Sequence, residues 1–373
     1  MSDSKMDSSE LKRYSISYFT SHISHLRFLF ALIPLFFSTT SCNNYAQENK
    51  PQESKINGVC LVAPRDSTML RELPKLERIS PNYVAVIPYA FKRRNESKVN
   101  YMKENPYWWG EGLNGCRETI SQLKQLGYKV MLKPHVWLAG EGWPGDFDPT
   151  KRVSADRVEE EWVIWEESYR AYILEMARLA SNEDVEILCI GTEYRIAVKQ
   201  RLQFWKDLIA GVREIYTGKV TYASNWDNYE HVSFWKELDF IGIDAYFPLS
   251  DSKQPEVSEL LEAWNPIVKS IVVFSDSIGK PILFTEYGYR SIPYTTRGDW
   301  KNGEVSELDE EAQSTAYQAL YQSWWNKKNF AGGFLWKWHP ADSIYQLKGA
   351  KGQFSPQGKD VEVLIEAQYQ SSN

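Results

Sequence analysis

The stretch VEILCIGTE at residues 185–193 is apolar almost throughout and ends on a carboxylate, and PILFTE at residues 281–286 repeats the arrangement. Short apolar runs with little alternation are what strands of a parallel sheet look like, because both of their faces are buried. Six further runs fit the same description: GVCLVAP (58–64), YVAVIPYA (83–90), KVMLKPHVW (129–137), KVTYASNW (219–226), FIGIDAYF (240–247) and GGFLWKWH (332–339). Between them lie amphipathic segments. CRETISQLKQLG (116–127) and RLQFWKDLIAGVREIYTG (201–218) each end on a glycine suited to a helix C-terminus, and EVSELLEAWNPIVKSIVVFSDSIG (256–279) is a third. Eight strand–helix alternations predict an α/β fold, a single (β/α)8 TIM barrel over residues 56–373. A doubly wound open sheet is the alternative, but no phosphate-binding glycine turn follows the first strand.

The strand ends share a direction of change. Each passes from aliphatic into polar or aromatic residues at its C-terminal side, as in Pro64-Arg65-Asp66, Asn225-Trp226-Asp227, Asp244-Ala245-Tyr246 and Trp336-Lys337-Trp338-His339. In a parallel barrel that rim is where chemistry sits. Glu193 closes the fourth predicted strand and Glu286 the seventh, so the two carboxyls are expected to face each other across the mouth. Two such groups, one protonated and one ionised, are the minimum equipment for breaking a glycosidic bond. The other reading is two glutamates in unrelated surface ion pairs.

Composition limits the alternatives. A net charge of -6 across 373 residues argues against nucleic acid, which calls for a clustered basic surface. The chain holds 15 Trp and 22 Tyr, rings that serve cores and also make flat platforms for sugar faces. Residues 1–42 read as a signal segment. Arg27 precedes an apolar run too short to span a bilayer, and Thr39, Thr40 and Ser41 lead into Cys42 like a bacterial lipoprotein processing site. Cys42 is then the lipidated residue and 43–55 a polar tether, which predicts an exported protein held at the membrane of the cell envelope. An ordinary secretory signal with a chance cysteine is the alternative. Cys60, Cys116 and Cys189 show no CxxC spacing, and Cys60 and Cys189 are expected as buried thiols. The histidines are scattered and no HExxH or P-loop is present, so neither metal nor cofactor is expected. Nothing in the chain demands more than a monomer.

Four segments, IGTE (190–193), FIGIDAYFPL (240–249), FTEYGYRS (284–291) and FLWKW (334–338), resemble glycoside hydrolase family 113, within the clan A retaining glycosidases. The resemblance covers the chain beyond the tether. It implies a (β/α)8 retaining enzyme of endo-β-1,4-mannanase type acting on a polysaccharide or oligosaccharide without a metal. It implies Glu193 as acid/base, Glu286 as nucleophile, Tyr246 as a hydrogen-bond partner of the nucleophile and Trp336 as the floor of the sugar subsite at the cleavage point. Many clan members carry Asn before the acid/base, where it binds the sugar 2-hydroxyl; this chain has Thr192. Retaining hydrolysis of a glucan or xylan therefore stays open, as does a glycan-binding lipoprotein or an envelope scaffold that has lost catalysis.

Other rim residues are candidate substrate contacts: Lys133, His135, Asn225 and Trp226. For His135 a structural role is the equal alternative. Arg65 and Asp66 are expected to pair with each other or to face substrate. Arg290 is expected to hold the seventh strand's loop or to act on a carboxylate by its charge. Trp108 and Trp109 in one loop and Trp137 and Trp143 in another wall a cleft or pin their loops to the barrel. Trp162, Trp165, Trp205, Trp324 and Trp325 lie in helical patterns and read as core, and Glu159–Glu161 read as helix-dipole compensation.

Overall fold

A computed structural model describes residues 54–104, 108–140, 142–298, 307–341 and 352–372. Cys42, the signal segment and residues 43–53 of the tether lie outside the described residues. The chain is already fixed at Lys55, whose buried ammonium donates to the carbonyls of Lys327, at 2.8 Å, and Phe330.

Eight parallel strands close into a barrel. In chain order they are β1 (Ile56–Leu61), β2 (Tyr83–Val86), β5 (Lys129–Leu132), β7 (Ile187–Thr192), β8 (Lys219–Asn225), β9 (Ile241–Asp244), β10 (Ile282–Tyr287) and β11 (Phe330–Trp338). Each pairs with its sequential barrel neighbour, and β11 returns to β1. The predicted runs 83–90 and 129–137 each divide in two. Proline has no N–H to give to a ladder, and Pro88 and Pro134 interrupt the strands at matching places. Beyond them β3 (Tyr89–Lys92) and β6 (His135–Leu138) pair with each other, and β4 (Val99–Asn100) completes a three-stranded sheet outside the barrel ladder.

The helices are α1 (Leu113–Gln125), α2 (Val158–Asn182), α3 (Arg195–Gln200), α4 (Leu202–Ile215), α5 (Val257–Ile278), α6 (Glu310–Trp324) and α7 (Val361–Ser371). Their ends follow local chemistry. Asp309 caps α6 by accepting from the Ala312 N–H at 2.8 Å, and α5 stops at Gly279, whose φ of 74° is left-handed. Glu159, Glu160 and Glu161 occupy the first turn of α2. The first crossover is not an α-helix: Ser67–Ile79 winds as a 3-10 run with Pro74 inside it, capped by Asp66.

Two layers of apolar packing result. Ile56, Cys60, Ile87, Met131, Leu283 and Phe334 fill the barrel interior. Gly58 is required there, because a Cβ on it would lie 2.4 Å from the Phe334 ring. A larger core joins strands to helices, and Trp162, Trp165, Trp205, Trp324 and Trp325 are all buried in it. Cys60, Cys116 and Cys189 are buried free thiols. Among the described residues no helix is long and apolar enough to cross a membrane.

Candidate active site

The C-terminal ends of β5, β7, β9 and β10 bring four ionisable side chains together. Glu286 lies within β10 and Asp244 at the end of β9, and the ladder pairs these two residues directly. Lys133 follows β5 immediately and has no exposed surface. Its ammonium donates to Asp244 Oδ1 at 3.0 Å and to Glu286 Oε1. The other Glu286 oxygen, Oε2, accepts from the Tyr246 hydroxyl at 2.8 Å. Glu286 therefore sits between a cation and a phenol, each donating to one of its two oxygens.

Glu193 follows β7 and meets a different environment. Its φ of 60° is left-handed, a conformation that costs a non-glycine residue about 1–3 kcal/mol and is held only by its surroundings. Here the Glu193 N–H donates to the Ala223 carbonyl at 2.8 Å and its own carbonyl accepts from Arg195 N–H at 2.8 Å. The carboxyl's one side-chain donor among its described hydrogen bonds is the Trp143 indole N–H, which reaches Oε2. Burial raises its pKa to about 8, assisted by the negative charges of Asp244 and Glu286 and opposed by the indole bond. Asp244 is raised to about 7, first by burial and then by Glu286, against the pull of Lys133. Lys133 is disfavoured as a cation by its burial, yet Asp244 and Glu286 outweigh that and its pKa is raised.

The loop carrying Trp143 is latched to the start of α3. Arg195 lies over the Trp143 ring at 4.8 Å, donates to the Gly145 carbonyl at 3.2 Å and pairs with Asp146 at 2.6 Å. His135, at the start of β6, has Nε2 3.5 Å from Glu286 Oε1 and stacks parallel to Trp336, with ring centres 6.1 Å apart. Burial first, then Lys133, push the His135 pKa well down, so its imidazole is neutral. A cavity of about 540 Å³ opens beside Trp336 and Tyr89. Trp108, Glu111, Trp137 and Lys337 also line it, and Trp137 is 66 % exposed. Glu193 and Glu286 are not in its wall. It is the side of the mouth formed by β11, β1 and β2, joined to the carboxyls through His135.

The remaining candidates are dispersed around this centre. Asn225 donates to Asp227 at 2.8 Å, and Trp226 packs on Phe247 with ring centres 5.7 Å apart. Thr192 is buried beside Glu193, and its hydroxyl has no hydrogen bond among the described residues. Arg290 donates to the Gly352 carbonyl at 3.1 Å, a contact that ties down the loop after β10. Arg65 and Asp66 do not pair with each other: Arg65 lies over the Trp108 ring at 5.0 Å, while Asp66 caps the turn at Thr68. Sequence reading missed two members. Asp244 was visible at a strand end but is a short acid followed by small Ala245, and only the β9/β10 register shows that it sits beside Glu286. Trp143 was read as a wall or a loop anchor; its indole bond to Glu193 depends on a loop path that no periodicity encodes.

A (β/α)8 barrel with two carboxyls at its C-terminal mouth is an architecture suited to a glycoside hydrolase. Residues 65–359 match Glycoside Hydrolase Family 113, and the chain belongs to that family. Among solved structures, a GH113 β-1,4-mannanase in complex form is similar at 25 % identity and a TM-score of 0.70, over 85 % of this chain and 99 % of that one. A GH113 β-mannanase from Alicyclobacillus acidocaldarius shares the fold at 22 % identity and a TM-score of 0.74, over 86 % of this chain and 98 % of its own. The β-glucuronidase of Faecalibacterium prausnitzii shares the barrel alone, at 14 % identity and a TM-score of 0.57, over 86 % of this chain and 49 % of that one. No curated protein matches the chain.

Proposed function

We propose that this glycoside hydrolase cleaves internal β-1,4 linkages of mannan or a mannose-containing polysaccharide with retention, using Glu193 as acid/base and Glu286 as nucleophile. The observation that carries the reading is the contrast between the two carboxyls. Glu193 has its pKa raised to about 8, so it holds a proton near neutral pH; Glu286 faces the Lys133 ammonium and the Tyr246 hydroxyl. In the first step Glu193 gives its proton to the glycosidic oxygen as the anomeric C–O bond breaks, and a Glu286 oxygen bonds to the anomeric carbon. In the second, Glu193 takes a proton from water, whose oxygen bonds to that carbon as the bond to Glu286 breaks. Two inversions leave the configuration unchanged.

The proposed roles also imply an orientation for the substrate. The leaving group must lie by Glu193, on the β7 side of the mouth. The cavity lined by Trp336, Trp108 and Trp137 lies across the barrel on the β11, β1 and β2 side, so it receives the sugars that stay attached to Glu286. The similar solved mannanases favour mannose; Thr192 in place of Asn leaves glucan or xylan as the second reading. Lipid anchoring through Cys42 at the cell envelope completes the proposal. The test is incubation with β-1,4-manno-oligosaccharides, with gluco- and xylo-oligosaccharides in parallel, following mass and anomeric configuration of the products. Retention on mannose chains is expected. Retention on another chain would move the substrate, and inversion or no cleavage by folded protein would overturn the assignment.

A further inference from the structure

We propose that Asp244 and Lys133 are positioning residues for this reaction, a buried pair in which Asp244 shares the Lys133 cation with Glu286 and adds negative charge to the group of carboxyls at the barrel mouth. The inference rests on the roles proposed above for Glu193 and Glu286.

Lys133 has three N–H donors and no acceptor, and it is sealed from solvent on the floor of the mouth. It therefore does not offer a hydrogen bond to the sugar; its described partners are Asp244 Oδ1 and Glu286 Oε1. Asp244 Oδ1 also accepts from Thr285 Oγ1 at 2.7 Å. Both described donors thus converge on one oxygen, and Oδ2 is buried with no hydrogen bond among the described residues. A carboxyl kept for architecture would satisfy both oxygens, because a buried unpaired acceptor costs free energy. Charge accounting supplies a reason to tolerate this cost. A lysine facing Glu286 alone would neutralise it and weaken it as a nucleophile. With Asp244 competing for the same ammonium, the cation is divided between two carboxyls, and Asp244, raised to about 7, adds part of a negative charge to the floor near neutral pH.

That residual charge acts on Glu193. After burial, Asp244 is the largest influence raising the Glu193 pKa, ahead of Glu286. The other groups facing the floor add little charge. Cys60 from β1 and Cys189 from β7 are thiols whose pKa burial raises, His135 on β6 is neutral, and Tyr246 holds its proton. Lys337 on β11 is the remaining cation, with its pKa lowered by burial and raised again in part by Glu286. Asp244 is thus the side chain whose removal changes the charge seen by Glu193 without touching either reacting carboxyl.

The test is the pH profile of kcat/KM on whichever oligosaccharide the wild type cleaves. Asp244→Asn should lower kcat about ten-fold with little change in KM and bring the alkaline limb down by about one pH unit, because Glu193 now loses its proton more easily. Lys133→Met should push the acidic limb up, since two adjacent carboxyls without a cation resist ionising together. The charge-neutral double variant should recover part of the activity lost in Lys133→Met. Thr285→Val, a milder change that weakens the charge on Asp244, should move the alkaline limb in the same direction by less. The Glu193 midpoint can also be read without substrate, by carbon NMR of its carboxyl, assigned by its loss in Glu193→Gln. Unmoved limbs and an unmoved Glu193 midpoint in folded Asp244→Asn or Thr285→Val would overturn the proposal, as would a double variant no better than the product of the single losses. Failure of the underlying roles shows separately, in the wild-type product configuration and in Glu286→Gln.

Discussion

Glu193 and Glu286 end equivalent strands of one barrel, yet the groups around their carboxyls differ. Glu286 lies within β10 just past an irregularity in its pairing with β9, and is gripped by Lys133 and Tyr246. Glu193 stands on a left-handed residue past β7, among buried groups, with the Trp143 indole as its side-chain donor. One region gives its carboxyl a cation and a phenol hydroxyl; the other gives a single indole N–H beside the negative charges of Asp244 and Glu286. Glu193 is thereby held toward its acid form while Glu286 keeps two donors on its oxygens, the kind of difference by which a single fold runs acid and nucleophile chemistry at one pH.

The largest expected effect breaks the contrast at its ionised end. Glu286→Gln keeps shape and burial but removes the attacking charge, so hydrolysis should fall by about 10⁴-fold or more while the thermal transition survives. A folded Glu286→Gln protein with undiminished turnover would sink the mechanism. Next comes the protonated end. Glu193→Gln should cost about 10²–10⁴-fold on oligosaccharides, and much less on aryl glycosides whose leaving group needs no proton. Equal losses on both substrates would mean that Glu193 is not the acid.

The same carboxyl makes a stability prediction. The folded-state pKa of Glu193 is raised to about 8, above its unfolded value. Its favourable contribution is therefore complete below the unfolded pKa, and it is lost as pH rises through the folded one. Replacing it with Gln should raise the thermal midpoint at pH 8 to 9 by several degrees and change it little near pH 4. Measurement by calorimetry at the two pH values checks the sign; equal midpoints for variant and wild type at pH 9 would show that Glu193 is not held protonated.

The parts of this arrangement legible in the chain are those that depend on local pattern. Buried parallel strands write themselves as apolar runs, so the barrel, its single-domain extent and the strand-end positions of Glu193 and Glu286 can be read directly. Two predicted strands run past their ladders, because Pro88 and Pro134 sit inside apolar runs that do not themselves say where a ladder stops. The connection after β1 is a 3-10 run, because a proline four residues before Arg78 outweighs its helical periodicity. What stayed hidden depends on register and on loop path. Lys133 looked like a substrate contact until its lack of exposure placed it beneath the carboxyls. Asp244 needed the β9/β10 pairing, and Trp143 needed the latch from α3.

That latch gives the finest way to sharpen the contrast. Trp143→Phe keeps a ring in place and removes one hydrogen bond to Glu193, a charge-assisted bond worth about 1.5–3 kcal/mol when its acceptor is ionised. The bond lowers the Glu193 pKa, so its loss should move the alkaline limb of kcat/KM upward, opposite to the shift expected of Asp244→Asn. The step that uses Glu193 as a base should slow by roughly ten-fold. Arg195→Ala leaves the indole present but unlatched. Its pair with Asp146 is largely solvent-exposed and contributes about 0.2–1 kcal/mol, and its stacking on Trp143 adds about 0.5–1 kcal/mol. A two- to three-fold fall in kcat is therefore expected, with a small upward drift of the same limb. If Arg195→Ala shifts the limb as far as Trp143→Phe does, the loop places the indole only while the latch is closed. If the limb does not move at all, packing alone positions Trp143, and Arg195 serves only the surface of the loop.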